Sequence, residues 1–113
     1  MVDKDINVAH FKAVINEFLR KLFGEDVKIR LRPSFFPFVE PGFEVDMYGP
    51  KGWVEMLGAG MVHPDVFKAV GYNPKNWQGF AFGVGLDRIA MMKYKIDDIR
   101  LLYSGDLRFL KQF

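Results

Sequence analysis

The chain has no cysteine, only two histidines in 113 residues and a net charge of just +2. The first absence excludes disulfides and thiolate-ligated metal sites. With only His10 and His63 available, neither a serine-histidine-aspartate triad nor a histidine metal site can be assembled. A near-neutral balance gives no electrostatic case for strong nucleic-acid binding by this segment by itself. No apolar run reaches the length of a membrane span, and the first residues lack the basic-then-apolar form of a secretory signal. A cytoplasmic location without membrane association is therefore expected. What the chain has in quantity is phenylalanine, twelve residues in a composition that is half hydrophobic. That suffices for one aromatic core in a single small domain, and no repeat, low-complexity tract or linker divides it.

Apolar residues at Val8, Phe11, Val14, Ile15, Phe18, Leu19, Leu22 and Phe23 recur at steps of three and four. The spacing predicts an amphipathic helix over 7–23, with Asn7 as N-cap and Gly24 as its stop. Val27 to Leu31 alternates as a strand and turns Lys28, Arg30 and Arg32 to the other side, either a solvated face or an RNA-facing stripe. Pro33, Pro37 and Pro41 predict that Ser34 to Gly42 is irregular, because proline cannot donate to a sheet ladder. Phe43 to Tyr48 reads as a half-buried strand, Gly49 to Gly52 as a turn, and Trp53 to Leu57 as the returning antiparallel strand, which Gly58-Ala-Gly60 ends. His63-Pro64-Asp65 has the chemistry of a helix entry, and this favours a structural role for His63 over a catalytic one. A final helix is expected near Asp106. These elements describe an α+β fold, an antiparallel sheet flanked by helices.

The segment Gly79-Phe-Ala-Phe-Gly-Val-Gly-Leu-Asp-Arg88 is unusual. At strand period it sets Phe80, Phe82, Val84 and Leu86 on one face and Gly79, Ala81, Gly83 and Gly85 on the other. A bare face suits a flat ligand lying directly on the backbone, or else a neighbouring helix accommodated at an edge strand. The period then changes to helical, with Leu86, Ile89, Ala90 and Met92 as a packing face and Arg88 in the first turn. A planar cation there fits a stacked base or a gripped phosphate, or a surface ion pair. The dinucleotide fingerprint and the phosphate loop are both excluded by the residues after Gly85. Elsewhere, Glu55 lies mid-strand beside a strand bearing Glu44 and Asp46. Such carboxylates suit magnesium held jointly with substrate phosphates, or an acidic strand face paired with lysines. Phe36 and Phe38 flank Pro37 and form either an aromatic ligand edge or core.

Residues 79–92 resemble the third signature motif of class II aminoacyl-tRNA synthetases. Together with RPSFFPFVEPG at 32–42, EVDMYGPKGWVEMLGAGMVHP at 44–64 and DDIRLLYSGDLRFLKQF at 97–113, the chain is similar to the alpha subunits of bacterial phenylalanyl-tRNA synthetases. The similarity covers essentially its whole length. This resemblance implies a partial catalytic domain over 1–113, activation of phenylalanine with ATP and Mg2+, and transfer to tRNA(Phe). It implies a beta subunit in an alpha2-beta2 heterotetramer. By the same correspondence Phe36, Phe38, Val39 and Ala81 line the amino-acid pocket, with Ala81 as its end wall. Glu55 holds ATP and its metal, Gly83 and Gly85 let the nucleotide lie on the strand, and Arg88 is the catalytic cation.

One departure is Asp87, where the family commonly carries the longer glutamate. The family's first two motifs are expected upstream of residue 1, so the isolated chain is expected to lack activity and to self-associate through an open sheet edge. A non-enzymatic module that binds phenylalanine or a nucleotide, and a regulatory paralogue of the synthetase, are the alternatives.

Overall fold

A computed structural model describes residues 1–113. They form two compact units, Met1–Gly83 and Val84–Phe113, and the glycine-rich stretch runs across the junction. In the first unit, helix α1 spans Val8–Phe23. The Asn7 side chain accepts from the N–H groups of Ala9 and His10, and His10 Nδ1 accepts from the Asn7 N–H. This reciprocal cap satisfies donors that the first helical turn leaves unpaired, and it gives His10 a structural role. Gly24 ends the helix at φ 106°, and its N–H bonds to the Arg20 carbonyl at 2.8 Å.

Five strands follow the order β1-β5-β4-β3-β2, where β1 is Val2–Asp3, β2 Ile29–Phe36, β3 Val39–Gly49, β4 Gly52–Val62 and β5 Gln78–Val84. The β1–β5, β2–β3 and β3–β4 pairings are antiparallel. Helix α1 buries Phe11, Ile15 and Leu19, one residue per turn. Phe11 meets Phe43 and Phe80 at ring separations of 5.9 and 5.6 Å, and Phe18 meets Phe82 at 5.6 Å. The helix therefore covers the sheet face that carries Phe43, Val45 and Met47, and leaves the opposite face of β3 for polar residues.

Two expectations need correction. The segment 34–42 is mostly strand: β2 continues through Pro33 to Phe36 and β3 begins at Val39. Pro33 is tolerated because β2 is an edge strand, and Pro41 because it sits within a register shift between Val39 and Gly42. Strand β4 does not end at Gly58-Ala-Gly60; Gly58 pairs with Glu44 and Gly60 with Gly42. The two-residue strand β1 and the short helix α4, Arg100–Tyr103, had no signal of their own.

Helix α2, Pro64–Ala69, begins as expected. His63 is its N-cap, with Nδ1 accepting from the Asp65 N–H at 3.1 Å, and Pro64 occupies the first turn. In the second unit, α3 spans Leu86–Tyr94 and α5 Leu107–Leu110, capped by Asp106. Ile96 and Phe109 are its buried residues, and Phe113 packs edge-on against Phe109 and Tyr94. No residue of α3 is buried, and Leu86 is 79% exposed. The apolar face expected there is thus only half covered, as befits a unit of about thirty residues with little surface to bury. No helix is long and apolar enough to cross a membrane.

Candidate functional site

Directly opposed residues of an antiparallel sheet share a face, so the register defines the site. Across β2, β3 and β4 it aligns Arg30 with Asp46 and Glu55, then Arg32 with Glu44 and Gly58, then Ser34 with Gly42 and Gly60. All lie on the side opposite Phe43 and α1. Asp46 is the buried charge of the chain, 1% exposed. Arg32 grips it with Nε to Oδ2 at 2.6 Å and Nη2 to Oδ1 at 3.0 Å, and Arg30 Nε adds a bond of 2.7 Å to Oδ2. Arg32 also reaches Glu44 at 2.7 Å, while the Ser34 hydroxyl donates to Glu44. The hydrogen bonds from Arg32 hold the Asp46 carboxyl below the ordinary range; burial opposes them and Arg30 adds to them. In turn the Arg32 guanidinium is held protonated even more firmly than usual by Asp46. Arg30 completes the row by stacking over Trp53, 4.5 Å from the ring centre.

Arg30 and Arg32 are exposed, in keeping with a solvated face, and both are in addition committed to one buried carboxylate. Asp46 and Glu44 are likewise ion-paired rather than gathered around a metal. A clue was present in the sequence, since Arg-x-Arg on one strand faces Glu-x-Asp on the next. The register needed to read it was not.

At the end of the same face the aromatic pair assembles. Phe36 stacks on Phe38 with centres 6.0 Å apart and planes 28° from parallel. The bare backbones of Gly42 and Gly58 lie under the Phe36 ring: a Cβ on Gly58 would sit 3.1 Å from Cζ, and one on Gly42 3.3 Å from Cδ2. Val39 is buried beside Gly60. An adjoining cleft of about 660 Å³ is bordered by Ser34, Phe36, Val39, Glu40, Gly42 and His63 among others, within the range of roughly 300–1,000 Å³ typical of small-molecule sites. His63 Nε2 lies 3.2 Å from Glu40 Oε2, and its backbone N–H donates to the Phe38 carbonyl. So Phe36, Phe38 and Val39 are brought together. The glycines beneath them were not foreseen as a floor, because Gly42 read as the end of an irregular segment and Gly58 as a strand terminator.

On β5, Ala81 is exposed and a Cβ at Gly83 would meet nothing within 4 Å. The expected bare face is shortened at Gly79, which pairs with Val2; the Met1 carbonyl lies 2.6 Å from where its Cβ would be. In the second unit Gly85 is the N-cap of α3, also open above its backbone, and Arg88 is exposed in the first turn. Asp87, one residue earlier, accepts a hydrogen bond from the Tyr103 hydroxyl, which holds that phenol above its ordinary range.

The backbone is open above Gly83 in the first unit and above Gly85 in the second. For a metal, no cluster of three or more His, Cys, Asp or Glu side chains is present in this chain. Magnesium requires less, one or two carboxylates with phosphates and water completing its shell. Glu55 is exposed on this face, opposite Asp46.

An antiparallel sheet with one helix-covered face and one polar, glycine-floored face is the architecture of a synthetase core of the second class. Residues 1–113 match the family model described as the tRNA synthetases class II core domain (F), and the chain belongs to that family. Among individual proteins it is similar to the phenylalanine–tRNA ligase alpha subunit of Thermotoga petrophila, 58% identical over 113 residues that cover 99% of this chain and 35% of that one. The same subunit of Desulfotalea psychrophila is 56% identical over 125 residues, 100% of this chain and 37% of that one. That of Shewanella sp. strain MR-7 is 51% identical over 114 residues, 100% and 35%. The chain therefore spans about a third of the length of the curated relatives it matches.

Proposed function

We propose that this chain is the part of a phenylalanine–tRNA ligase alpha subunit that binds phenylalanine and ATP, a partial catalytic domain over 1–113 acting in the cytoplasm. The observation that carries the reading is the aromatic pair Phe36 and Phe38 with Val39, at the end of a sheet face in a chain whose whole length matches such subunits. Phe36 and Phe38 receive the substrate ring by aromatic contacts, each worth about 0.5–1.5 kcal/mol beyond burial, and Val39 and Ala81 supply apolar walls. ATP lies against the open backbones of Gly83 and Gly85, and Arg88 supplies the cation that stacks on the base and meets the phosphate charge.

In the reaction a carboxylate oxygen of phenylalanine bonds to the α-phosphorus of ATP, and the bond from that phosphorus to the β-bridging oxygen breaks. Phenylalanyl-adenylate and pyrophosphate result. The adenosine hydroxyl at the end of tRNA(Phe) then takes the acyl group and AMP leaves. In-line positioning and charge stabilisation dominate such chemistry, with little demand for a general base. Magnesium, when bound, neutralises phosphate charge, with Glu55 as its protein ligand. The remaining apparatus is supplied by the rest of the subunit and by a beta subunit in an alpha2-beta2 assembly.

The test is phenylalanine-dependent exchange of pyrophosphate into ATP by the full-length subunit carrying this segment, assembled with its beta subunit. Exchange that needs phenylalanine and falls by about 10²-fold or more in Arg88→Ala is expected, as for removal of a preorganised charge partner. Phenylalanine binding without any exchange would instead favour a non-enzymatic module.

A further inference from the structure

Resting on the ligase reading above, we infer that Gly58 is a specificity-determining residue of the amino-acid pocket, acting through the ring of Phe36. Three glycines open this face of the sheet, for two different reasons. At Gly60 an added Cβ would lie 2.5 Å from the Pro41 carbonyl and 2.7 Å from Val39 Cβ, and at Gly42 it would lie 2.6 Å from the Ser34 carbonyl. Those two are bare because the backbone of the neighbouring strand leaves no room. Gly58 is different. Its nearest neighbours are all atoms of one side chain: Cζ, Cε1 and Cε2 of Phe36 at 3.1, 3.6 and 3.6 Å.

These three atoms are the far tip of the ring, so the backbone at position 58 is the surface on which the Phe36 tip rests. The other end of Phe36 is fixed by strand β2, whose pairing with β3 resumes at Phe36–Val39 after the shift at Ser34. One face of the ring is engaged by Phe38. A methyl group at position 58 can therefore be accommodated only by tilting the Phe36 tip away from the sheet by a few tenths of an ångström, since 3.1 Å is tighter than ordinary van der Waals contact. That displacement moves a pocket wall without touching the nucleotide or the reacting carboxylate. Gly58 thereby sets the depth of the aromatic wall, and with it the thickness of ring that the site accepts.

The experiment uses the full-length subunit carrying this chain, assembled with its beta subunit, and compares four forms in a double-mutant cycle: unsubstituted, Gly58→Ala, Phe36→Leu and the double variant. Gly58→Ala is expected to raise KM for phenylalanine on the order of five-fold, as for a fraction of the 1 Å misplacement that costs about 10²-fold. KM for ATP and kcat should stay within about two-fold, because the shift is confined to the side-chain wall. In the Phe36→Leu background, where the shorter side chain leaves room for the methyl, Gly58→Ala should change KM by less than about two-fold. Equal effects of Gly58→Ala in both backgrounds, an unchanged KM for phenylalanine, or parallel changes in both KM values and kcat would overturn the inference. Should Gly58→Ala alone fail to assemble, the double variant decides: assembly restored by Phe36→Leu with the KM of that single variant supports the inference, and a double variant that also fails or shows a five-fold higher KM sinks it. Absence of phenylalanine-dependent exchange in the unsubstituted enzyme would remove the ligase reading and this inference together; a working enzyme indifferent to position 58 removes only the latter.

Discussion

Arg32 holds Asp46 by two parallel bonds, 2.6 and 3.0 Å, across the pairing of an edge strand with its neighbour. The geometry is the bidentate fork that arginine alone provides, and it ties the functional face of β3 to β2 where no helix covers it. Removing the carboxylate leaves two cations without their common partner. Because both arginine side chains are 44% exposed, water recovers part of their solvation, so the cost lies below that of a fully buried broken pair. Asp46→Asn should lose about 1.5–3 kcal/mol, the worth of hydrogen bonds to a charged group. Urea unfolding of the full-length subunit with and without the substitution measures it.

The same carboxylate predicts a pH dependence. Asp46 titrates below its ordinary value in the folded chain because Arg32 and then Arg30 bond to its charged form. A depressed folded value means that its stabilisation is fully present above the unfolded value of about 3.9 and is lost as pH falls through the folded one. Stability should therefore decline with acid below about pH 4, and Asp46→Asn should make this limb shallower. An acid limb of the same steepness in both proteins would mean that other carboxylates carry it.

How much of this was legible in the sequence depended on whether each signal was local. Asn7 and Gly24 marked the ends of α1 because caps act within one turn. The hairpin at Gly49 to Gly52 and the helix entry at His63-Pro64 were readable for the same reason. Pro33 and Pro41 misled because their effect depends on position in the sheet: an edge strand and a register shift absorb what a central strand would not. Gly58 and Gly60 read as terminators until cross-strand neighbours were known. Asp46 could be seen as one of three carboxylates, but its arginines stand fourteen and sixteen residues away, joined only by register. Of the site, the aromatic members were identifiable by family motif, and the charged framework behind them was not.

Tyr103 and Asp87 offer a spectroscopic prediction. The phenol donates to the carboxylate, and this bond holds Tyr103 above its ordinary titration range. Asp87→Asn keeps an acceptor but removes the charge, so Tyr103 should titrate at lower pH in that variant. Ultraviolet difference titration, with Tyr103→Phe to identify the signal among four tyrosines, reads the shift. A raised folded value implies stabilisation present below about pH 10 and lost as pH rises through the folded value. No movement of the signal would show that the shorter carboxylate at 87 does not hold the phenol in solution.

Glycines of one chain should separate into two classes when each is replaced by alanine. At Gly60 the added methyl meets the Pro41 carbonyl and Val39, groups fixed by strand pairing. Relief requires β3 and β4 to shift, and Gly60→Ala should cost about 1–3 kcal/mol, as overpacking does. At Gly83 and Gly85 the methyl enters open space. Both variants should stay within about 0.5 kcal/mol of the parent, as exposed substitutions do. If a nucleotide lies on that backbone, the same two methyls nevertheless raise KM for ATP while leaving KM for phenylalanine unchanged. Thermal melting and steady-state exchange kinetics, run on all three variants, test both halves. Unaltered KM for ATP in Gly83→Ala and Gly85→Ala would mean that their bareness serves the chain and not its ligand, because a methyl pointing into empty volume can matter only to what fills that volume.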